Sequence, residues 1–273
     1  MMRDDWNAVA AAWNAHYDTY VRDLRGLADW CVNAARVRSG MHVLDIAGGS
    51  GMPAFDLARR VGPDGRVTSV DLSPDMIRLA GARATGLGIR NLAFAEMDAA
   101  ALSFPDGTFD AATFSFGLML CPDPPDVVRE MRRVLKAGAR YAITVWAKPT
   151  LNPFLAIAGR AALEVLELPK PERTDPGPFR LADQEALEAT LRDGGLTDFT
   201  IEQKEFSIAY ESVDAYIELS KSLSPGLGTK LRALPPARAS AFDAIVREAV
   251  QPYMSDGGLS FPSTVNCVSG SAH

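Results

Sequence analysis

The chain has 273 residues, of which 47% are hydrophobic and 23% charged, enough apolar material for one substantial α/β core and too much for a disordered or fibrous state. Its 28 Lys and Arg face 34 Asp and Glu, a formal charge of -6, so the basic footprint that a phosphate backbone requires is missing and no nucleic-acid partner is expected. No run approaches the roughly 18 apolar residues of a membrane span, and the opening Met-Met-Arg-Asp-Asp-Trp has no apolar signal core; the expectation is a soluble, cytoplasmic protein.

Residues 6–34 place Trp6, Val9, Trp13, Tyr17, Tyr20, Leu24, Leu27 and Trp30 at helical spacing, which predicts one or two amphipathic helices ahead of the main fold. From residue 41 short apolar runs alternate with helical patterns. The predicted order is strand Val43–Ile46, helix Pro53–Val61, strand Arg66–Asp71, helix Pro74–Thr85, strand Leu92–Met97, strand Phe109–Phe116, helix Pro125–Lys136 closing near Gly138, and strand Tyr141–Trp146. Such alternation implies a parallel sheet with helices on both faces.

Beyond Lys148 the prediction continues with a helix over Pro153–Leu168, a Pro-rich connector, and a helix Asp183–Asp193 stopped by Gly194-Gly195. A strand Phe199–Ala209, helices Val213–Leu223 and Arg238–Met254, and a last strand Phe261–Val268 follow. The fold class is therefore α/β: a doubly wound, mostly parallel, seven-stranded Rossmann-like sheet with helical lids at the N-terminus and in the C-terminal half. We read 1–273 as a single domain, with 1–38 an N-terminal lid, 39–210 and 260–273 the core, and 211–259 a helical insertion. The three cysteines, Cys31, Cys121 and Cys267, lack both a disulfide framework and a metal-binding spacing, and no metal is expected.

Val43-Leu44-Asp45-Ile46-Ala47-Gly48-Gly49-Ser50-Gly51 is a strand running into a glycine-rich turn, with Pro53 near the start of a helix. Glycines admit close backbone approach and a helix N-terminus presents free N–H groups. Gly49-Ser50-Gly51-Met52-Pro53-Ala54 also satisfies the dinucleotide pattern, so an NAD(P)-dependent oxidoreductase is one reading. The next strand ends in Asp71, where a carboxylate can accept both hydroxyls of a ribose, and the third delivers Asp98, followed by Ala99, toward an adenine amine. A second adenosine-facing acid favours S-adenosylmethionine over a nicotinamide cofactor.

The chain resembles the class I S-adenosylmethionine-dependent methyltransferases of the ubiquinone/menaquinone-biosynthesis (type 11) branch. The resemblance rests on residues 43–51, Val-Asp-Leu-Ser-Pro-Asp-Met (70–76), Met-Asp-Ala (97–99), Phe-Pro-Asp-Gly-Thr-Phe-Asp (104–110), Phe-Gly-Leu-Met (116–119) and Arg-Val-Leu-Lys-Ala-Gly (133–138). It implies methyl transfer from S-adenosylmethionine to a small or medium-sized organic acceptor on O, C or N, releasing S-adenosylhomocysteine. It further implies that Asp45, Ala47, Gly49 and Gly51 lie against the methionine part and that Asp71 holds the ribose. Leu72 and Met76 would flank the adenine, Asp98 and Ala99 would meet its edge, and the backbone of Phe114 and Ser115 would close over the amino group. Ala47 replaces the first glycine of the usual turn, which is free of strain only at negative φ. A non-catalytic S-adenosylmethionine-binding protein is the other alternative.

Trp13, Tyr17 and Tyr20 share one helical face; they are core residues or, through cation–π attraction to a sulfonium, a cofactor cover. His16 among them is the candidate general base. Acceptor contacts are expected from Phe179, Tyr216, Leu223 and Tyr253 in the less recognisable segments. Cys121 is assigned no chemistry, and the Arg129, Arg132, Arg133, Lys136 run reads as a solvated helix face. The expected partner is a small-molecule acceptor, with a second copy of the chain left open.

Overall fold

A computed structural model describes residues 2–273. Two helices, α1 (Met2–Ala15) and α2 (Tyr17–Ala34), precede the sheet. The parallel half is then laid down as β1 (His42–Ile46), α3 (Ala54–Val61), β2 (Arg66–Asp71), α4 (Pro74–Gly86), β3 (Leu92–Glu96), β4 (Phe109–Ser115), α5 (Pro124–Val134) and β5 (Leu135–Trp146). The rest comprises α6 (Pro153–Val165), α7 (Gln184–Asp193), β6 (Asp198–Tyr210), α8 (Val213–Leu223), α9 (Leu227–Arg232), α10 (Pro236–Ala249), β7 (Met254–Ser255) and β8 (Gly258–Ser271).

The strand order is β3-β2-β1-β4-β5-β8-β6, with two-residue β7 attached to β8. β1 to β5 are mutually parallel where they pair, while β8 runs antiparallel between β5 and β6. The predicted seven strands are thus all present, and β7 makes an eighth among the described residues. Side chains alternate across the sheet. Val43, Val67, Ala111 and Ala142 meet Cys31 and Val32 of α2 and Leu57, Ala58 and Val61 of α3 on one face. Leu44, Ile46, Ala112 and Phe114 belong to the larger core with Val128 and Met131 of α5 and Leu187 and Leu191 of α7.

Local chemistry starts the helices where expected. Ser73 accepts from the Met76 N–H with Pro74 at the first helical position, Asp183 accepts from Glu185 N, and Ser212 from Ala215 N. Two helix ends that differ from the sequence reading give way to strand. The predicted helix to Lys136 ends at Val134, because Leu135 is extended (φ -82°, ψ 141°) and pairs with Phe109, so Leu135 and Lys136 open β5. The predicted helix to Met254 ends at Ala249; a short turn at Gln251–Tyr253 then leads into the β7–β8 hairpin.

The arginine run is also more than a solvated face. Arg133 donates to Glu130, to Asp106 and to the carbonyls of Leu102 and Phe104, pinning the loop before β4, and Arg132 holds the His273 carbonyl. The three cysteines are free, and no described helix is long and apolar enough to cross a membrane.

Candidate functional site

In an open parallel sheet the ligand crevice lies at the carboxyl ends of the strands, and the predicted site residues converge there from β1, β2 and β4. The turn after β1 is tied down by its own backbone: Gly48 N–H donates to Val70 O (3.1 Å) and Gly51 N–H to Gly48 O (2.9 Å). Gly49 (φ +52°) and Gly51 (φ +111°) adopt conformations that favour glycine. A methyl on Gly49 would meet nothing within 4 Å, so the turn faces open space at that point. On Gly48 it would fall 1.9 Å from Ser69 Oγ and 2.5 Å from Asp45 Oδ2; Gly48, which the sequence reading did not single out, lets the turn rest on the sheet.

Ala47 has φ +53°, the conformation that its motif reserves for glycine. Its methyl group is accommodated at Gly117, where a Cβ would stand 2.7 Å from it. The substitution in the turn is matched by a glycine on the neighbouring strand end.

Asp45 is fully buried beneath the turn, accepting from Thr113 Oγ1 (2.7 Å) and Ser69 Oγ (3.0 Å). Asp45, expected against the methionine part, thus has both oxygens engaged by Thr113 and Ser69 below the turn. Burial pushes its carboxyl up to about 7, against the pull of the two hydroxyl donors. Asp71 is half-buried and accepts from Gly49 N (2.9 Å) on one oxygen and from Ser73 N (2.8 Å) on the other. A carboxylate offers about four acceptor positions, leaving one on each oxygen for a diol. Burial raises its pKa, and the backbone N–H donors oppose that rise.

Asp98 is exposed just beyond β3, taking the Ala100 N–H at 2.9 Å, with Ala99 half-buried beside it. Leu72 is half-buried. Met76, expected beside adenine, is 2% exposed and packs with Val9 and Ala10 of α1, so the lid takes its free side. Phe114 is buried and Ser115 half-buried, its hydroxyl 3.0 Å from Thr144 Oγ1.

The aromatic stripe does converge, although the helix breaks at His16. Trp13 meets Tyr20 edge-on at 4.9 Å and Tyr17 meets Tyr20 at 5.5 Å. Tyr20 hydrogen-bonds Ser50 of the glycine turn, Tyr17 packs against Phe55 with the Arg83 guanidinium 4.1 Å above its ring, and Trp13 Nε1 donates to Leu223 O of α8 at 3.0 Å. α1 and α2 thus lie on the turn and reach α8. His16 makes no side-chain hydrogen bond among the described residues, and it is the one histidine near this end: His42 enters β1 from the opposite end and His273 follows β8.

Of the acceptor candidates, Tyr216 is corrected to a core residue: it is 1% exposed and donates to Phe154 O at 2.5 Å. Tyr253 meets Phe261 in a tilted contact at 4.9 Å, Leu223 accepts from Trp13 through its carbonyl, and Phe179 packs on the core beside the segment that follows β4. Burial pushes the Cys121 thiol up to about 12. The sequence reading missed an aromatic group at the strand ends. Phe116 (φ +57°) stacks on Trp146 at 4.3 Å, and Trp146 also meets Phe154 (5.3 Å) and Phe206 (6.3 Å). The Phe-Gly step after β4 was visible in the sequence; its convergence with rings from β5, α6 and β6 was not.

The cradle fits an adenosyl ligand: open space before Gly49, free acceptor positions on Asp71 and an exposed acid at the next strand end. Fold and site together define a Rossmann-like, S-adenosylmethionine-dependent methyltransferase. A profile of the ubiE/COQ5 methyltransferase family matches residues 25–161. The chain is 30% identical over 207 residues to the ubiquinone/menaquinone biosynthesis C-methyltransferase UbiE of Enterobacter sp. (strain 638), a match spanning 72% of this chain and 82% of that protein. Against UbiE of Pseudomonas putida (strain W619) the identity is 32% over 212 residues, spanning 71% and 80%. Among solved structures, the YcgJ protein from Bacillus subtilis shares the fold with a TM-score of 0.63 at 20% identity, over 91% of this chain and 99% of that one.

The chain belongs to the ubiE/COQ5 methyltransferase family. It is an enzyme that transfers a methyl group from S-adenosylmethionine to a small organic acceptor. Membership resolves the glycine turn in favour of that cofactor over a nicotinamide.

Proposed function

We propose that this enzyme methylates a carbon atom of a small, largely apolar acceptor, with the cofactor held along the carboxyl ends of β1, β2 and β3 and the acceptor above β4 and β5. The observation that carries the reading is the stacked Phe116–Trp146 pair next to Ser115, an apolar floor beside the adenosyl cradle. The similarity to relatives named C-methyltransferases of ubiquinone/menaquinone biosynthesis supports a carbon acceptor.

S-adenosylmethionine supplies an already activated methyl group; the chain has to align the acceptor and exclude water. Asp71 holds the ribose diol, Asp98 and Ala99 meet the adenine edge beside Leu72, and the N–H groups of the Ala47–Gly51 turn face the methionine end. Trp13, Tyr17 and Tyr20 cover the cation. His16, on the lid, takes the proton that a ring hydroxyl or acidic carbon must lose. Residues 1–273 act as one domain with 1–38 and 211–259 as its two lids.

The test is incubation with S-adenosylmethionine and a panel of phenolic, quinol, amine and carboxylate acceptors, followed by mass spectrometry and carbon NMR of the product. A new carbon-bound methyl on a phenolic or quinol ring, with stoichiometric S-adenosylhomocysteine, is the expected result. Methylation confined to amines would overturn the carbon assignment.

A further inference from the structure

The insertion opens with α8, which ends at Leu223, and the last carbonyls of a helix find no donor within it. Three carbonyls at this end are satisfied from inside the insertion: Ser220 O accepts from Ser224 Oγ (2.6 Å), Lys221 O from Arg232 Nη1 (3.0 Å) and Ser224 O from Gly228 N (2.8 Å). Leu223 O is satisfied from outside it, by Trp13 Nε1 of α1 at 3.0 Å. Close by, the Asp5 carboxylate of α1 lies against the turn at Gly226 (φ +71°), where a Cβ would stand 3.4 Å from Oδ2.

Trp13 is itself tied to the cofactor side. Its ring meets Tyr20 edge-on at 4.9 Å, and Tyr20 hydrogen-bonds Ser50 of the glycine turn. α1 is also fixed to the start of α4: Ser73 Oγ, two residues beyond Asp71, donates to Asn7 Oδ1 at 2.6 Å, and Val9 and Ala10 pack on Met76. α8 in turn reaches the acceptor side. Tyr216 donates to Phe154 O at 2.5 Å, and the Phe154 ring meets Trp146 of the aromatic floor at 5.3 Å. The indole N–H of Trp13 thus joins the elements around the adenosyl cradle to a helix whose other contacts lead to the floor.

We infer that Trp13 is a positioning residue: through Nε1 it fixes α8 relative to the cradle and carries cofactor occupancy to the acceptor side. The inference rests on the function proposed above, with the cofactor under the aromatic stripe and the acceptor over β4 and β5, and adds the order in which the two bind. A ligand that touches Tyr20 and Trp13 holds both rings in one arrangement, and that arrangement presents the indole donor to Leu223 O. Such coupling is reciprocal, so cofactor and acceptor each tighten the binding of the other, and the acceptor binds best to enzyme already loaded with cofactor.

The test follows amide hydrogen exchange across the full chain with and without saturating S-adenosylhomocysteine, whose occupancy is read from slowed exchange in the Ala47–Gly51 turn. In the wild type, exchange over residues 213–232 is expected to slow by about threefold to tenfold when the ligand binds, the scale of one neutral hydrogen bond. Trp13→Phe keeps a ring against Tyr20 and loses the donor; its turn should still be protected at saturation, while the slowing over 213–232 shrinks to less than about twofold. Arg232→Ala removes a donor to the same helix end from inside the insertion. It should quicken exchange over 213–232 in both states and keep the ligand-dependent slowing, which separates transmission from mere loosening of α8. A protected turn with no slowing over 213–232 in the wild type would overturn the inference without any variant. Full slowing in Trp13→Phe, or its equal loss in Arg232→Ala, would overturn it too. Failure of S-adenosylhomocysteine to protect the wild-type turn would instead strike the methyltransferase reading.

Discussion

Asp45 is a buried carboxyl whose chemistry departs far from its free value. Its carboxyl is held near 7 in the folded chain against 3.8 when unperturbed, with desolvation the cause. The folded state therefore keeps this proton where the unfolded state has lost it, and stability falls as pH rises through that window, by at most about 4 kcal/mol. Asp71, also raised by burial, contributes with the same sign. Urea unfolding at pH 5 and pH 7.5 should show the loss in the wild type and a flatter response in Asp45→Asn; an identical slope in both would remove Asp45 as the source. A second residue-scale expectation concerns Ala47 and Gly117. Gly117→Ala drives a methyl against Ala47 and the Phe114 ring (2.7 and 2.3 Å) and should destabilise by about 1–3 kcal/mol. Ala47→Gly relieves left-handed strain but adds unfolded-state entropy, and should stay within about 1 kcal/mol of wild type in thermal melts. Both acids at the strand ends and the glycine turn were legible in the sequence. That Asp45 sits under the turn, and that Gly48 and Gly117 provide the clearance, depends on neighbours from other strands that spacing does not reveal.

At the scale of elements, the polar contacts that tie α1 and α2 to the rest of the chain include Trp13 Nε1 to Leu223 O, Tyr20 to Ser50, Arg83 to Asn14 (2.8 and 3.0 Å), Ser73 Oγ to Asn7 Oδ1 (2.6 Å), Arg25 to Asp56 (3.0 Å) and Trp30 Nε1 to Glu202 (2.6 Å). Trp13→Phe keeps an aromatic ring and removes one hydrogen bond, about 0.5–1.5 kcal/mol. Amide hydrogen exchange in α1 and α8 should quicken severalfold in that variant while β1 and β4 are unaffected; unchanged exchange would show that packing alone holds α1 to α8. The helices were readable from their caps, Ser73, Asp183 and Ser212, since those residues act on their own first turn. The ends of α5 and α10 were not. Residues 135–136 continue a helical pattern, and only the partner strand with Phe109 draws them into β5.

For the whole molecule, the parallel half and the order of motifs were legible because each strand, turn and cap is local. The acceptor side was not, because Phe116, Trp146, Phe154 and Phe206 come from four separate elements. Tyr216 illustrates the failure: an aromatic residue on an insertion helix reads equally as lining or as core, and Phe154 O and Phe261 decide for core. The cofactor couples to global stability by mass action. S-adenosylhomocysteine at 100 times its Kd should stabilise the fold by about 2.7 kcal/mol, visible as a raised melting temperature. Asp71→Ala, which removes the diol's acceptor, should weaken binding by roughly tenfold to a hundredfold and, at the same ligand concentration, cut the stabilisation to between about 1.4 and about 0.4 kcal/mol; an equal rise in wild type and variant would take Asp71 out of the site.

The position of β8 between β5 and β6 sets the order in which the molecule can be completed during synthesis. Arg140 waits for Ser271 and Asp198 for the same residue, so on the ribosome two strand edges stay unpaired until β8 emerges. Non-local pairing of this kind is slow and leaves a sticky half-sheet exposed. A nascent chain halted before residue 258 would hold the complete adenosyl cradle and still lack the strand that joins it to β6.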